Sequence, residues 1–254
     1  MSTVAVAAQR ERFFLWMAIA IAVIVVWGFG PTFFFRELVR TRDLSPLVWI
    51  HALVLTSWIV LLLAQTTLIA KARVDLHRRL GVAGAVLAVL AVAAGVAAAL
   101  GASPQRQQSW APQHGLVSSL RYLVTVAYGP IAFGVLAACG ISLRRNREAH
   151  KRLMLLATFA LMDAPIWRML DDFGWPITVG PFGFEARTGP FHTVISPLLY
   201  PAGLDHLLDL PLFVALAVHD LATSGRLHPV TLYGALAFFA AKPALVGVLS
   251  LLGS

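Results

Sequence analysis

Seven apolar runs, each long enough to cross a bilayer, most strongly constrain what this chain can fold into. A hydrocarbon core of about 30 Å needs about 20 apolar residues in one helix. Polar or proline-containing stretches such as RTRDLSP and SGRLHP separate the runs. Because backbone polar groups in lipid must be satisfied within each segment, the pattern predicts an all-α integral membrane bundle of seven transmembrane helices. The predicted spans cover residues 13–35, 46–69, 80–101, 116–142, 153–170, 204–223 and 230–252.

The composition agrees with a bilayer protein. Charged residues make up 13% of the chain and the mean hydropathy is +0.78, whereas soluble domains are about 25% charged. The net charge of +8 does not indicate nucleic-acid binding, because the cations cluster between apolar runs instead of alternating with aromatic residues. We expect the lipid bilayer and its anionic headgroups as partners, and no nucleic acid; the oligomeric state is left open.

The distribution of cations predicts the topology. Twelve of the 20 Lys and Arg residues fall on the side of the N-terminus and seven on the other, which by the positive-inside rule predicts a cytoplasmic N-terminus in a bacterial inner membrane. Arg10 and Arg12 precede a first run too long for a cleaved signal, so that run is predicted to be a retained span. Residues 1–254 then form a single transmembrane domain with a long external loop, 171–203, rich in Gly, Pro and aromatics.

Two joints between spans carry the same short motif. KARVDLHRRLG joins the second and third spans, and RRNREAHKRLM joins the fourth and fifth. Each joint places H-[RK]-R-L at the start of the returning helix, beginning at His77 and at His150. The cations of both joints set topology, and the two histidines are predicted to lie at one membrane depth.

A third histidine, His219, is predicted at the same depth, with Asp220 beside it. Three imidazoles and a carboxylate suit a zinc or iron ion with an open position for water. His77, His150, His219 and Asp220 therefore predict a membrane protein that binds metal or haem and is linked to redox chemistry, with haem, zinc, iron or copper as candidate cofactors. The same cluster holding zinc predicts, alternatively, an intramembrane lipid hydrolase. The alternative without a ligand is that each histidine contacts lipid phosphate or a neighbouring helix end.

Ionisable groups inside the spans give a different hypothesis. Such groups are costly in lipid and usually face a partner or a cavity. Asp163 lies about ten residues into its span and Lys242 about twelve into the last one, so a buried ion pair between them is predicted, with Arg168 as a competing partner for Asp163. A transporter or channel-like protein would use this polar seam as its pathway; a purely structural seam is the alternative. The seam consists of His51, Gln65, Arg121, Asp163, Arg168 and Lys242.

Known catalytic motifs do not decide between these hypotheses. The chain contains no nucleophile elbow, phosphate loop, H-E-x-x-H or dinucleotide fingerprint. Whether it is an enzyme is left open. Two haems stacked across the membrane are disfavoured, because His51 and His77 are 26 residues apart, about 39 Å along a helix.

The stretches LLLAQTTLIAKARVDLHRRLGVAG, RRNREAHKRLMLLAT and SGRLHPVTLYG resemble a family of uncharacterised bacterial multi-pass membrane proteins. The resemblance covers most of the second to seventh spans, and the H-[RK]-R-L joints are its most specific part. It implies the topology and no established activity. More loosely, paired histidines at hairpin joints are similar to small membrane proteins that handle haem or copper in respiratory assembly.

Overall fold

The computed structural model describes residues 3–39, 44–101, 115–172 and 204–252, and this part of the chain is 90% helical without strands. The all-helical class predicted from the sequence is therefore confirmed for the described residues. The helices are α1 (Thr3–Phe29), α2 (Arg36–Val39), α3 (Pro46–Ala70), α4 (Val74–Gly101), α5 (Gly115–Ser142), α6 (Arg147–Phe159), α7 (Asp163–Asp172), α8 (Leu210–Ser224) and α9 (Pro229–Leu252).

Five helices in the described residues are long and apolar enough to cross a membrane, and a sixth span results if α6 and α7 are taken together. These helices are compatible with a multi-pass membrane protein. The apolar part of α5 within the described side chains, Val126–Ser142, is shorter. Seven spans and a cytoplasmic N-terminus remain predictions. Most of the predicted external loop, residues 173–203, lies outside the described residues.

Local sequence signals set the ends of several helices. The Ser45 hydroxyl accepts a hydrogen bond from the Val48 N–H (3.4 Å) and caps α3, and the Asn146 side chain accepts from the Ala149 N–H (3.2 Å) and caps α6. Both are residue types that favour the N-cap position. Gly225 ends α8 at φ +67°, a left-handed conformation that glycine adopts without a steric cost.

Besides the fifth span, which is broken near its middle, two predicted spans change geometry near one end. The first, 13–35, leaves α-helical geometry at a π-helical turn, Gly30–Phe34, which contains Pro31. The sixth, 204–223, begins with a 3₁₀ turn, Asp205–Asp209, before α8 starts. In both cases a proline without an N–H accompanies the change of geometry.

Several helix ends meet at one end of the bundle. Phe13 of α1 stacks on His219 of α8 with ring centres 3.9 Å apart, and His77 of α4 lies beside His150 of α6. Lys151 of α6 lies 4.7 Å from the ring centre of Phe14 of α1, so these contacts bring together the ends of α1, α4, α6 and α8. We call this end of the bundle the basic end; it comprises the start of the apolar part of α1 and the joints 71–73, 143–146 and 225–228.

The surface and the interior of the bundle are both apolar. Ile21, Phe133 and Leu216 are fully buried, whereas Val82 and Val89 of α4 are 71% and 68% exposed. Exposed apolar side chains along whole helices are unfavourable in water and match a lipid environment. Polar groups in the interior are therefore the exceptions that need an explanation.

Candidate functional site

The fifth predicted span, 153–170, is broken near its middle. α6 ends at Phe159, α7 begins at Asp163, and their axes are bent by 48°. Pro165 has no N–H, and in a continuous helix its ring would clash with the carbonyl of Leu161. Instead the Leu161 N–H donates to the Thr158 carbonyl (3.0 Å) in a tight turn. Asp163 thus becomes the first residue of a new helix, roughly 24 Å from the start of α6, where the helix dipole favours a negative charge.

Two glycines allow neighbouring helices to pack directly on the broken segment. A Cβ atom at Gly28 of α1 would overlap the carbonyl of Pro165, and one at Gly129 of α5 would lie 2.7 Å from the carbonyl oxygen of Ala160. Both contacts are with backbone, which cannot rotate away. α1 and α5 therefore hold the break from two sides.

Lys242 of α9 lies beside the break. Its side chain is 1% exposed and its Nζ atom is 3.8 Å from Oδ2 of Asp163, whose side chain is 30% exposed. Lys242 also lies over the ring of Tyr128 of α5, 5.7 Å from the ring centre, and the Tyr128 hydroxyl donates to the carbonyl of Phe238. The structure brings together the carboxylate and the lysine that the sequence analysis paired.

Arg168, the competing partner considered for Asp163, contacts α1. Its Nη1 atom donates to the Thr32 hydroxyl (3.3 Å), and its guanidinium lies 5.0 Å from the ring centre of Phe29. Both contacts are at or beside the π-helical turn that follows α1. Such turns occur often at functional sites.

A buried histidine extends the polar group around Lys242. His206, in the 3₁₀ turn before α8, is 1% exposed; its Nε2 atom donates to the carbonyl of Phe239 (3.2 Å), and its ring centre is 6.0 Å from that of Tyr128. Asp209, in the same turn, is fully buried. The sequence analysis did not assign these residues to a site. The sequence did contain a signal, because Asp205, His206 and Asp209 are three ionisable residues within five positions at the start of an apolar run. We refer to five residues together as the charged centre: Tyr128, Asp163, His206, Asp209 and Lys242.

The remaining residues of the predicted seam are less closely joined. Between His51 and Gln65 on α3, Trp58 is buried and its Nε1–H donates to the Thr158 hydroxyl (3.2 Å). The Nδ1 atom of His51 and the Oε1 atom of Gln65 are buried, with no hydrogen-bond partner in the described part of the chain. The side chain of Arg121 lies outside the described residues. One continuous seam is therefore not traced by the described contacts.

The two histidines of the H-[RK]-R-L joints are neighbours. The ring centres of His77 and His150 are 6.3 Å apart and their planes meet at 81°. The Nδ1–H of His150 donates to the carbonyl of Gly140 (2.8 Å), whereas the Nδ1 atom of His77 is buried without a hydrogen-bond partner in the described residues. The repeat in the sequence thus corresponds to two adjacent side chains at the basic end.

Both carboxylate oxygens of Asp220 accept hydrogen bonds from groups other than the histidines' rings. Its Oδ1 accepts from Nε of Arg152 (3.0 Å) and from Nη2 of the same residue. Its Oδ2 accepts from the Thr231 hydroxyl (2.6 Å) and from the backbone N–H of His228 (3.1 Å). Both carboxylate oxygens are used, and they join α6 to the joint between α8 and α9.

The predicted four-residue metal cluster is not assembled in the described structure. His219 stacks on Phe13, and Asp220 is bound to Arg152. In the described ranges, no three His, Cys, Asp or Glu residues form a group suited to a metal ion. Shared depth placed the four residues at one level, but depth does not determine on which side of each helix a side chain lies.

Sequence reasoning missed the role of Arg152, which it counted only as a topology-setting cation. Its side chain is 3% exposed. Besides Asp220, its guanidinium contacts Glu148 one turn earlier, and Lys151 reaches the same carboxylate (2.9 Å). A buried Arg–carboxylate network of this kind is a structural connection between α6, α8 and α9.

His228 caps the start of α9. Its Nδ1 atom accepts a hydrogen bond from the Val230 N–H (3.2 Å). Burial, and then the nearby Arg152 guanidinium, hold the pKa of His228 below its ordinary value. The neutral ring is therefore the form that this joint favours.

Comparisons of the chain with protein-family models, curated proteins and solved structures each gave no match. The resemblance inferred from the H-[RK]-R-L joints remains a prediction, and the functional argument depends on the geometry of the described residues.

Proposed function

We propose that the chain is a seven-span protein of the bacterial inner membrane, with a cytoplasmic N-terminus, that transports protons or a proton-coupled ion through the charged centre. The observation that carries this proposal is the Lys242–Asp163 pair, in which a lysine 1% exposed lies 3.8 Å from a carboxylate at a helix break. Two charges at this depth cost several kcal/mol in desolvation. Function is the usual reason for retaining such groups.

The broken helix supports the same proposal. Non-helical backbone at membrane depth is tolerated only where protein buries it or where it lines a cavity. In many transporters, substrate and ion sites are formed by discontinuous helices whose ends point at the bound ion. Here the break places Asp163 at a helix start, and Gly28 and Gly129 bring α1 and α5 onto the same segment.

The composition of the centre favours a proton as the transported or coupled species. Asp163, His206 and Lys242 can each gain or lose a proton, and chains of Asp and His residues form proton relays in membrane pumps. Tyr128 lies between His206 and Lys242, 6.0 Å from the histidine ring and 5.7 Å from the lysine nitrogen. The centre thus brings several groups that can carry a proton close together.

The test is proton flux in proteoliposomes. A pH-sensitive dye inside the vesicles reports proton entry when a potassium gradient with valinomycin sets the membrane potential. We expect flux with the native protein and loss of flux with Asp163→Asn, which removes the titratable group while preserving size and hydrogen-bonding capacity.

The charge-reversed pair Asp163→Lys with Lys242→Asp is the matched variant. It retains an ion pair but moves the carboxylate from the start of α7 to α9. A structural pair would tolerate the exchange with unchanged flux, and that result would count against a transport role. Native flux in folded Asp163→Asn would exclude Asp163 from the pathway.

A second candidate function is metal or haem binding at the basic end, linked to redox chemistry. The observation that favours it is the 6.3 Å separation of the His77 and His150 ring centres. A visible spectrum and the iron, copper and zinc content of the purified protein test it. A colourless protein with less than stoichiometric metal would exclude it. A zinc-dependent lipid hydrolase needs a third ligand of the predicted cluster, and the described residues provide no such group.

A further inference from the structure

The hydrogen bonds of the two joint histidines determine which ring nitrogens are available. The Nδ1 atom of His150 is 2.8 Å from the carbonyl oxygen of Gly140. A carbonyl only accepts, so Nδ1 carries the proton and Nε2 of the neutral ring keeps its lone pair. This is the usual arrangement of a metal-binding histidine, whose second nitrogen donates to a carbonyl or carboxylate.

His77 has the complementary arrangement. Its Nδ1 atom is buried with no hydrogen-bond partner in the described residues. In the neutral tautomer that is protonated at Nε2, this buried Nδ1 keeps a lone pair. Leaving such an acceptor unsatisfied costs about 1–3 kcal/mol, and a ligand would remove this cost.

The separation of the rings fits one ion between them. Metal–nitrogen bonds are about 2.0–2.1 Å, and with roughly 1 Å from each nitrogen to its ring centre, two ring centres on opposite sides of one ion lie roughly 6 Å apart. The observed separation of His77 and His150 is 6.3 Å. This separation suits an ion with the two imidazoles on nearly opposite sides, and a tetrahedral angle at the ion would bring the ring centres to roughly 5 Å from each other.

The side chain of Gln65 lies near this corner of the bundle and offers an oxygen as a third ligand. Its Oε1 atom is buried without a hydrogen-bond partner in the described part of the chain. Its amide nitrogen would lie 3.8 Å from a Cβ atom at Gly81, one turn beyond His77. A glutamine oxygen serves as a weak additional ligand in some copper sites, and imidazole ligands suit copper and zinc.

We propose that His77, His150 and the side-chain oxygen of Gln65 bind a single bare copper or zinc ion at the basic end of the bundle. This inference rests on the metal-binding candidate function and does not depend on transport through the charged centre. The proposed ligand set differs from the four-residue set predicted from the sequence. It excludes His219 and Asp220, and it adds Gln65, which the sequence analysis assigned to the polar seam.

The test titrates the metal-stripped, detergent-purified full chain with Zn²⁺, and with Cu⁺ under a competing chelator. We expect one ion per chain, with affinity reduced at least about 100-fold in His77→Ala and in His150→Ala, and about 10–100-fold in Gln65→Leu. X-ray absorption of the bound metal should show two imidazole ligands. His219→Ala is the matched control, since it removes an imidazole from the same end of the bundle, and it should bind as the native protein does.

Each result has a defined consequence. Equal loss of affinity in His219→Ala would overturn the ligand set. A haem absorption band that requires His77 and His150 would overturn the bare-ion inference while supporting the metal or haem candidate function. No stoichiometric binding by folded native protein would overturn both. A thermal melt of each variant tests whether it is folded. If His150→Ala is not folded, His150→Gln replaces it in the titration.

Discussion

Two buried ion pairs in this molecule differ in their surroundings. The Arg152–Asp220 pair at the basic end is almost fully buried, and both carboxylate oxygens accept from Arg152, Thr231 and the His228 backbone. The Lys242–Asp163 pair lies deeper in the bundle, with its charged atoms 3.8 Å apart. The Asp163 side chain is 30% exposed, at the start of the second half of the broken helix.

This difference separates a structural pair from a functional one. A charge network whose acceptors are all satisfied holds three helices in one arrangement, and any movement breaks several bonds at once. An ion pair whose carboxylate is partly exposed at the start of a helix can separate or change partner at a smaller cost. We infer that the basic end fixes the bundle and that the charged centre performs its function.

Breaking the Arg152–Asp220 pair should have the largest effect on stability. Arg152→Ala leaves Asp220 as an uncompensated buried charge, and removing one partner of such a pair costs about 3–5 kcal/mol. Denaturant or thermal unfolding in detergent measures the loss. Arg152→Met combined with Asp220→Asn should recover much of it, because Asn still accepts from Thr231 and from the His228 N–H.

Filling the close contact at the helix break should have an intermediate effect. Gly28→Ala places a methyl group against the Pro165 carbonyl, and overpacking of this kind costs about 1–3 kcal/mol. Gly247→Ala on α9 is the matched control: nothing lies within 4 Å of its added Cβ, and alanine is the better helix former. Unfolding measurements that show equal losses for the two variants would contradict the packing described for the break.

The pH response of the α8–α9 joint should be the smallest effect. Because the folded state holds the pKa of His228 below its ordinary 6.5, the unfolded chain binds the proton more readily, and stability should fall as pH drops below about 6.5. His228→Asn can still cap α9 and should show a shallower decline in melting temperature between about pH 7.5 and 5.5. An unchanged slope would exclude His228 as a contributor.

The sequence contained the apolar runs but not the way in which helices face one another. Run length predicts helices because lipid leaves the backbone few alternatives. The positions of the prolines did not predict the break. Pro130 and Pro243 lie inside α5 and α9, which continue past them, whereas Pro165 follows the bend between α6 and α7. His77 and His219 share a depth, yet only His77 adjoins His150, because rotation about each helix axis depends on long-range packing.

Flux through two neutralised pairs tests the central claim most directly. The variant Asp163→Asn with Lys242→Met removes the charged centre, and Arg152→Met with Asp220→Asn removes the structural pair, each without leaving a lone buried charge. Proton flux in proteoliposomes should be abolished in the first variant and stay close to native in the second. Equal flux in both folded variants would contradict the division between a fixed basic end and a functional charged centre.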